Sequence, residues 1–242
     1  MARRVQKQLE LPAPSTWGGQ RADAGRKPKP GRPSMGHDRR VEHNPQQPVQ
    51  VTLRAVTGAP SLRSPSVFAA VQGAVRKASY EAFRVIHFSA QQDHMHFIVE
   101  ANSRVALRSG IQGLAIRIAL TVNRAAGRRG RLWGDRYHAR ALTTPREVRA
   151  SMVYVLLNFR KHLRAGPGID PRSSGACFDG WDPSPVAAGG TRPVAPPRTW
   201  LARWGWRQAG GLLRPTERPG RHIIERERPI ASQLEEVRFS PP

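Results

Sequence analysis

Acidic residues and cysteine are scarce in this chain. Its 242 residues hold 17 Asp and Glu against 40 Lys and Arg, a formal net charge of +23. Such an excess repels itself unless a polyanion offsets it, so nucleic acid is the first partner to expect and an anionic membrane surface the second. The Arg-over-Lys bias fits a planar fork for phosphates; a GC-rich coding sequence would produce it too, but would not remove the acids. A single cysteine, Cys177, excludes an intrachain disulfide and a cysteine-based zinc site, and reads as inert. The N-terminus (Met1–Leu11) lacks the apolar run of a signal peptide, and no stretch of 18 consecutive apolar residues occurs. The expectation is a cytoplasmic, nucleoid-associated protein without a membrane partner.

Hydrophobic residues are also few, at 38%, while Gly and Pro contribute 22 each, so part of the chain is expected to stay unpacked. Three segments differ. Residues 1–47 read as a disordered basic arm, within which Gly25–Pro33 looks like an AT-hook, or else an unspecific phosphate-binding tail. Residues 48–165 carry the periodic apolar pattern and most of the positive charge, and form the expected folded domain. Residues 166–242 read as a Pro/Gly-rich, largely irregular tail, with a short helix at Trp200–Trp206 docking on the core.

Within 48–165 the pattern predicts strands at Val51–Val56, Phe83–Ser89, His94–Glu100 and His138–Leu142. It predicts helices at Ser66–Ser79, Val105–Ala126 and Thr144–Leu163. Val67, Val71 and Val75 mark one buried helix face; Ile111, Leu114, Ile118 and Val122 mark another, and Gly127 stops that helix. The last helix opens with Thr144, Pro145 and Glu147, a Thr-x-x-Glu capping box with proline at its first position. The order β-α-β-β-α-β-α implies an α+β fold, a ferredoxin-like antiparallel sheet with helices packed on it.

Two clusters carry chemistry. His94 and His96, two apart on a strand, share one face while Met95 takes the other, and paired imidazoles make half of a divalent-metal site. They equally read as two unrelated surface histidines. On the last helix Val148, Met152, Val155, Leu156, Phe159 and Leu163 form the core stripe. Glu147, Ser151, Tyr154, Asn158, Lys161 and His162 form a second. Tyr154 and Asn158, four apart, stack on one face and offer a phenolic oxygen and an amide oxygen. Alone, they read as a wet core-edge tyrosine and a solvated asparagine.

Taken together, Asp93-His94-Met95-His96, Gly130-Arg131-Leu132-Trp133-Gly134-Asp135-Arg136-Tyr137 and Tyr154-Val155-Leu156-Leu157-Asn158 resemble the single-tyrosine HUH transposases. The nearest group is the REP-associated tyrosine transposases, relatives of the smallest insertion-sequence transposases. The resemblance spans roughly residues 48–165 and departs from the family at Gln92 and Phe159, where proline is usual. It implies that His94, His96 and Asn158 hold Mg²⁺ or Mn²⁺. It implies that Tyr154 cleaves single-stranded or hairpin DNA through a 5′-phosphotyrosine bond, so that a second strand can be joined. Arg128, Arg129, Arg131, Arg136 and Arg140 would grip phosphates. Trp133 and Tyr137 would stack on bases, although Trp133 reads equally well as a plug at the core edge.

The competing reading is a non-catalytic DNA-binding protein that keeps a transposase scaffold. A larger replication-initiator or relaxase-type nickase and a ribosome-associated basic protein are the others. Monomer or homodimer, cis or trans use of the tyrosine, and the DNA sequence recognised are left open by the sequence.

Overall fold

The computed structural model describes residues 42–159, 166–184 and 192–219. The segment Gly25–Pro33, and Lys161, His162 and Leu163 of the last predicted helix, lie outside the described residues. Within them the chain runs β1 (Val49–Arg54), α1 (Pro65–Arg76), β2 (Phe83–Ala90), β3 (His94–Ala101), α2 (Arg104–Ala125), β4 (His138–Ala141), α3 (Pro145–Leu157) and α4 (Trp200–Arg203), with two short 3₁₀ turns at Gly175–Cys177 and Gly205–Ala209. Each predicted element of the core is present. Boundaries differ by at most three residues where both ends are described, as expected where strand ends and caps blur periodicity.

The four strands form one sheet in the order β2-β3-β1-β4, and every neighbouring pair is antiparallel. This is the split βαβ arrangement: α1 carries the chain from β1 past β3 to β2, and α2 carries it from β3 past β1 to β4. The fold is therefore α+β, with a ferredoxin-like antiparallel sheet.

The two sheet faces bury different things. Val51 and Leu53 of β1, Phe88 of β2 and Met95, Phe97 and Val99 of β3 point to the side covered by α1 and α2 and join one apolar cluster. Val67, Val71 and Val75 of α1, and Ile111, Leu114, Ile118 and Val122 of α2, complete it. α2 crosses β2 so closely that a side chain at Gly110 would overlap the ring of Phe83. Ser103 caps α2, its hydroxyl accepting from the Ala106 amide at 3.1 Å. At 22 residues, with a mean hydropathy of 1.3 in its most apolar window, α2 is long and apolar enough by composition to cross a membrane. Its apolar residues never run for more than a few positions before a polar one, so a search for 18 consecutive apolar residues passes it over. Its Ile111–Val122 stripe packs on the sheet.

The opposite face is covered by α3 and by the chain beyond residue 165. α3 is buried on nearly every side: Val148 and Ser151 through Leu157 are all inaccessible. A two-stripe reading of this helix assumed one wet face. The run Met152-Val153-Tyr154-Val155-Leu156-Leu157 is apolar all round, which is the pattern of a helix covered on both sides. Phe178, Trp181, Trp206 and Leu213 supply the second cover. The folded unit thus continues well past residue 165, irregular in backbone but packed.

This C-terminal segment also shields the outer edge of β2. The Ala90 amide donates to the Arg172 carbonyl at 2.9 Å, Ser174 to Phe88 at 2.9 Å, and Ala195 to Val85 at 2.9 Å, so an otherwise open strand edge is paired. Two buried acids clamp it. Asp170 takes the forked guanidinium of Arg63 at 2.7 and 2.8 Å. Glu100, at the far end of β3, accepts from the amides of Arg198 and Thr199 and from the Thr199 hydroxyl, each at 2.9 Å. Thr199 in turn caps α4, the docked helix expected at Trp200–Trp206.

Candidate active site

Strand alternation places His94 and His96 on the α3 side of β3, since Met95 between them lies in the opposite cluster. Their rings meet edge to face with centroids 4.7 Å apart. The ring of Tyr154, reaching down from α3, meets His96 at the same 4.7 Å. Tyr154 therefore sits against His96. Asn158 follows one turn later, at the C-terminal end of α3, where its amide donates to the Tyr154 carbonyl at 3.1 Å. His94, His96, Tyr154 and Asn158 are all buried. The structure thus brings His96 and Tyr154, 58 positions apart in the sequence, into contact, with His94 on one side and Asn158 one helical turn beyond Tyr154.

Neighbouring side chains orient the imidazoles. Asp93 Oδ1 lies 2.7 Å from His94 Nδ1, and since a carboxylate only accepts, that nitrogen carries the proton and Nε2 is the basic one. Burial raises the Asp93 carboxyl, but its bond to His94 and the charges of His94 and Arg54 outweigh this, and its net shift is downward. Asp93 therefore stays ionised at neutral pH. His96 Nδ1 lies 3.0 Å from the Thr52 hydroxyl, directly across the sheet in the β1–β3 register. Asp93 was legible only as part of a motif, without a role. Thr52 carries no sequence signal, because only the register reveals it.

The amide group of Asn158 is fully buried, and neither its oxygen nor its nitrogen has a hydrogen-bond partner among the described residues. The same holds for the side-chain amide of Gln91 and for the hydroxyl of Ser89, which stands opposite His96 on β2. A buried amide without partners costs about 1–3 kcal/mol, and several clustered on one face mark a place built for something polar. Two imidazoles and an amide oxygen are a donor set that suits a divalent cation of the Mn²⁺ type, with Mg²⁺ preferring all-oxygen surroundings. The residues present fit a metal.

The basic loop between α2 and β4 adjoins this end of the sheet. The Val56 amide donates to Leu132 at 2.8 Å, and that of Gly134 to Arg54, the residue paired with His94, at 2.8 Å. Arg129 and Arg136 are exposed. Arg128 donates to the Arg131 carbonyl at 3.1 Å, and Arg131 to that of Trp133. Arg140 is tied to Glu147 and Gln50, each at 3.3 Å. Trp133 is 9% exposed and its indole N–H donates to Ala115 at 2.8 Å, so of the two readings of this residue the structure has the core plug. Tyr137 is half-buried against the α1/α2 cluster. The capping box differs slightly from expectation. Thr144 caps Glu147 at 3.2 Å, but the Glu147 carboxylate reaches Thr143, accepting from its amide and hydroxyl at 2.7 Å.

Residues 70–155 match the model of a family described as "Transposase IS200 like". No curated protein matches the chain. A solved structure described as the REP-associated tyrosine transposase bound to a REP hairpin is similar at 16% identity and a TM-score of 0.48, over 65% of this chain and 93% of that one. Over residues 70–155, which hold both histidines and Tyr154, the chain is similar to the IS200-like transposases.

Proposed function

We propose that this protein cleaves and rejoins single-stranded DNA, including DNA at hairpins, as a transposase of the single-tyrosine type acting within the nucleoid. The observation that carries the reading is the continuous contact His94–His96–Tyr154, with the unsatisfied amide of Asn158 one helical turn away. Similarity to the IS200-like transposases and the net charge of +23 support DNA as the substrate.

His94, His96 and Asn158 would hold Mn²⁺ or Mg²⁺, which supplies Lewis-acid polarisation of the scissile phosphate. Asp93 turns the His94 ring with Nε2 as the metal-binding nitrogen, and Thr52 orients the His96 ring. Tyr154 is the nucleophile. Its phenolic oxygen forms a bond to the phosphorus, the bond to the 3′ oxygen breaks, and the phenolic proton is lost as the departing 3′ hydroxyl gains one. The resulting 5′-phosphotyrosine conserves the bond energy, so a second 3′ hydroxyl can reverse the step on another strand. The edge-to-face packing on His96 fixes the ring, which limits the motion needed to reach the phosphate. Arg129 and Arg136, exposed on the loop beside Arg54, would hold the strand.

Incubation of the full chain with labelled single-stranded hairpin oligonucleotides and Mn²⁺ tests the reading. A denaturant-resistant protein–DNA adduct that disappears in EDTA and in Tyr154→Phe is expected. Retarded DNA with no adduct under Mn²⁺ or Mg²⁺ would make the protein a DNA-binding one that keeps the scaffold without the chemistry.

A further inference from the structure

A cavity of about 500 Å³ opens on the outer side of β2, between that strand and the C-terminal segment. Its C-terminal wall is outside the span that matches the transposase family model. Arg84 and His87 line it from β2; Arg192, Arg198, Arg203, Trp204 and Arg207 line it from the C-terminal segment, and Asp179 is its one acidic lining residue.

Five guanidinium groups in one cavity is an unusual concentration of positive charge, and little among the described residues neutralises it. Arg84 pairs with the buried Glu100 at 3.8 Å. Among the described residues, Arg192, Arg198, Arg203 and Arg207 form no ion pair with a carboxylate. Backbone and rings hold all four instead, Arg192 donating to the Cys177 carbonyl. Arg198 donates to the Glu81 carbonyl at 3.3 Å, while Arg203 and Arg207 lie over the Trp204 indole at 5.2 and 5.0 Å. Burial, then the charge of Arg198, lowers the proton affinity of Arg84 against the pull of Glu100. Trp204 is half exposed, although three neighbouring aromatic residues of this segment, Phe178, Trp181 and Trp206, are buried. An exposed indole among unpaired guanidinium groups is the composition of a surface that stacks bases and neutralises phosphates.

Position adds to this. His87 precedes Ser89 by two residues on β2, and Ser89 is the partner of His96 across the sheet. The cavity floor therefore begins about 7 Å along the strand from the histidine pair. We infer that this cavity binds one or more nucleotide units of single-stranded nucleic acid, with phosphates on Arg192, Arg198 and Arg203 and a base against Trp204 and the guanidinium planes beside it. Several guanidinium groups in an open cavity exceed what one mononucleotide phosphate can use, which favours a continuous strand over a free nucleotide. Binding there needs neither Tyr154 nor a metal.

The test is fluorescence anisotropy of labelled oligo-dT with the full chain in EDTA, repeated across a salt series, so that strand cleavage plays no part in the readout. Substituting Arg192→Gln, Arg198→Gln and Arg203→Gln together should weaken binding at least about tenfold and lower the salt slope by about 2, given roughly 0.7 per phosphate contact on single strands. All three arginines are exposed, so the fold should survive, and a thermal melt checks that. Trp204→Leu should weaken binding at least about fivefold with the slope unchanged, as expected for loss of stacking. Removing the same charge from α2 (Arg108→Gln, Arg117→Gln and Arg124→Gln, all exposed on the other side of the sheet) should change affinity and slope far less. The proposal is overturned if the cavity variant and the α2 variant behave alike. It is also overturned if free dTMP binding is lost in the cavity variant while oligo-dT binding is unaffected.

Discussion

The two faces of this sheet are built from the same strands yet serve opposite ends. The α1/α2 face is dry: its cluster is aliphatic and aromatic. The α3 face is equally buried but holds His94, His96, Ser89, Gln91, Gln50 and Asn158 among its apolar side chains. Of these, the Ser89 hydroxyl and the side-chain amides of Gln91 and Asn158 have no hydrogen-bond partner among the described residues; burying such groups opposes folding, so a face that does so is kept for reasons other than stability. The first face holds the domain together, and the second positions chemistry at some cost to stability.

The largest effect that would sharpen this contrast is on the polar face. Tyr154→Phe keeps the ring that packs on His96 and removes only the nucleophilic oxygen, so adduct formation should fall by at least about 10³-fold with the melting temperature nearly unchanged. Phe97→Ala, on the dry face, should do the reverse. Emptying so buried a site should destabilise the protein by about 3–5 kcal/mol in urea titration, leaving Mn²⁺ affinity of the folded fraction intact.

A pH effect follows from His87, which is buried beneath Phe178 and next to Ser174. Burial lowers its pKa to about 4, with Asp179 opposing and Arg192 assisting that shift. Below its ordinary value of 6.5 the unfolded chain takes up a proton that the folded one refuses. Stability should therefore fall as pH drops from about 6.5 towards about 4, by as much as about 3 kcal/mol. His87→Phe should flatten that part of the profile of urea midpoint against pH, and an unchanged slope would place the proton elsewhere.

Asn158→Leu inverts the usual sign of a mutation. Removing a buried amide that lacks partners should stabilise the metal-free protein by about 1–2 kcal/mol while abolishing the gain in melting temperature that Mn²⁺ gives the unaltered chain. If the variant is less stable, the amide has a structural partner and the contrast between the faces weakens. The smallest effect belongs to neither face: Thr144→Ala removes the cap of α3 and should cost about 1 kcal/mol, read as a shift in urea midpoint.

Much of this was legible in the sequence because it rests on short-range periodicity. The valines of α1, the aliphatic stripe of α2 and the alternation at His94-Met95-His96 each set their own burial, and the split βαβ order follows from the element sequence. The meeting of Tyr154 with His96 was legible only through motif resemblance, since no local rule links a strand to a helix 58 residues later. The rest depended on tertiary register. Thr52 gains its role by standing across from His96, and Trp133 is a core plug because Ala115 offers a carbonyl. The segment beyond residue 165 packs without regular periodicity. Its Gly and Pro content pointed to irregular backbone, and such backbone can still be buried when Asp170 and Glu100 satisfy its polar groups.

The central claim is that Tyr154 itself becomes joined to DNA. Digesting the adduct with trypsin and nuclease and then fragmenting it by mass spectrometry tests this directly, because the chain has three tyrosines, Tyr80, Tyr137 and Tyr154, each on a different tryptic peptide. The account predicts a nucleotide remnant on Tyr154 within the peptide Ala150–Arg160. A remnant on Tyr80 or Tyr137, or cleaved DNA with no modified tyrosine, would contradict it.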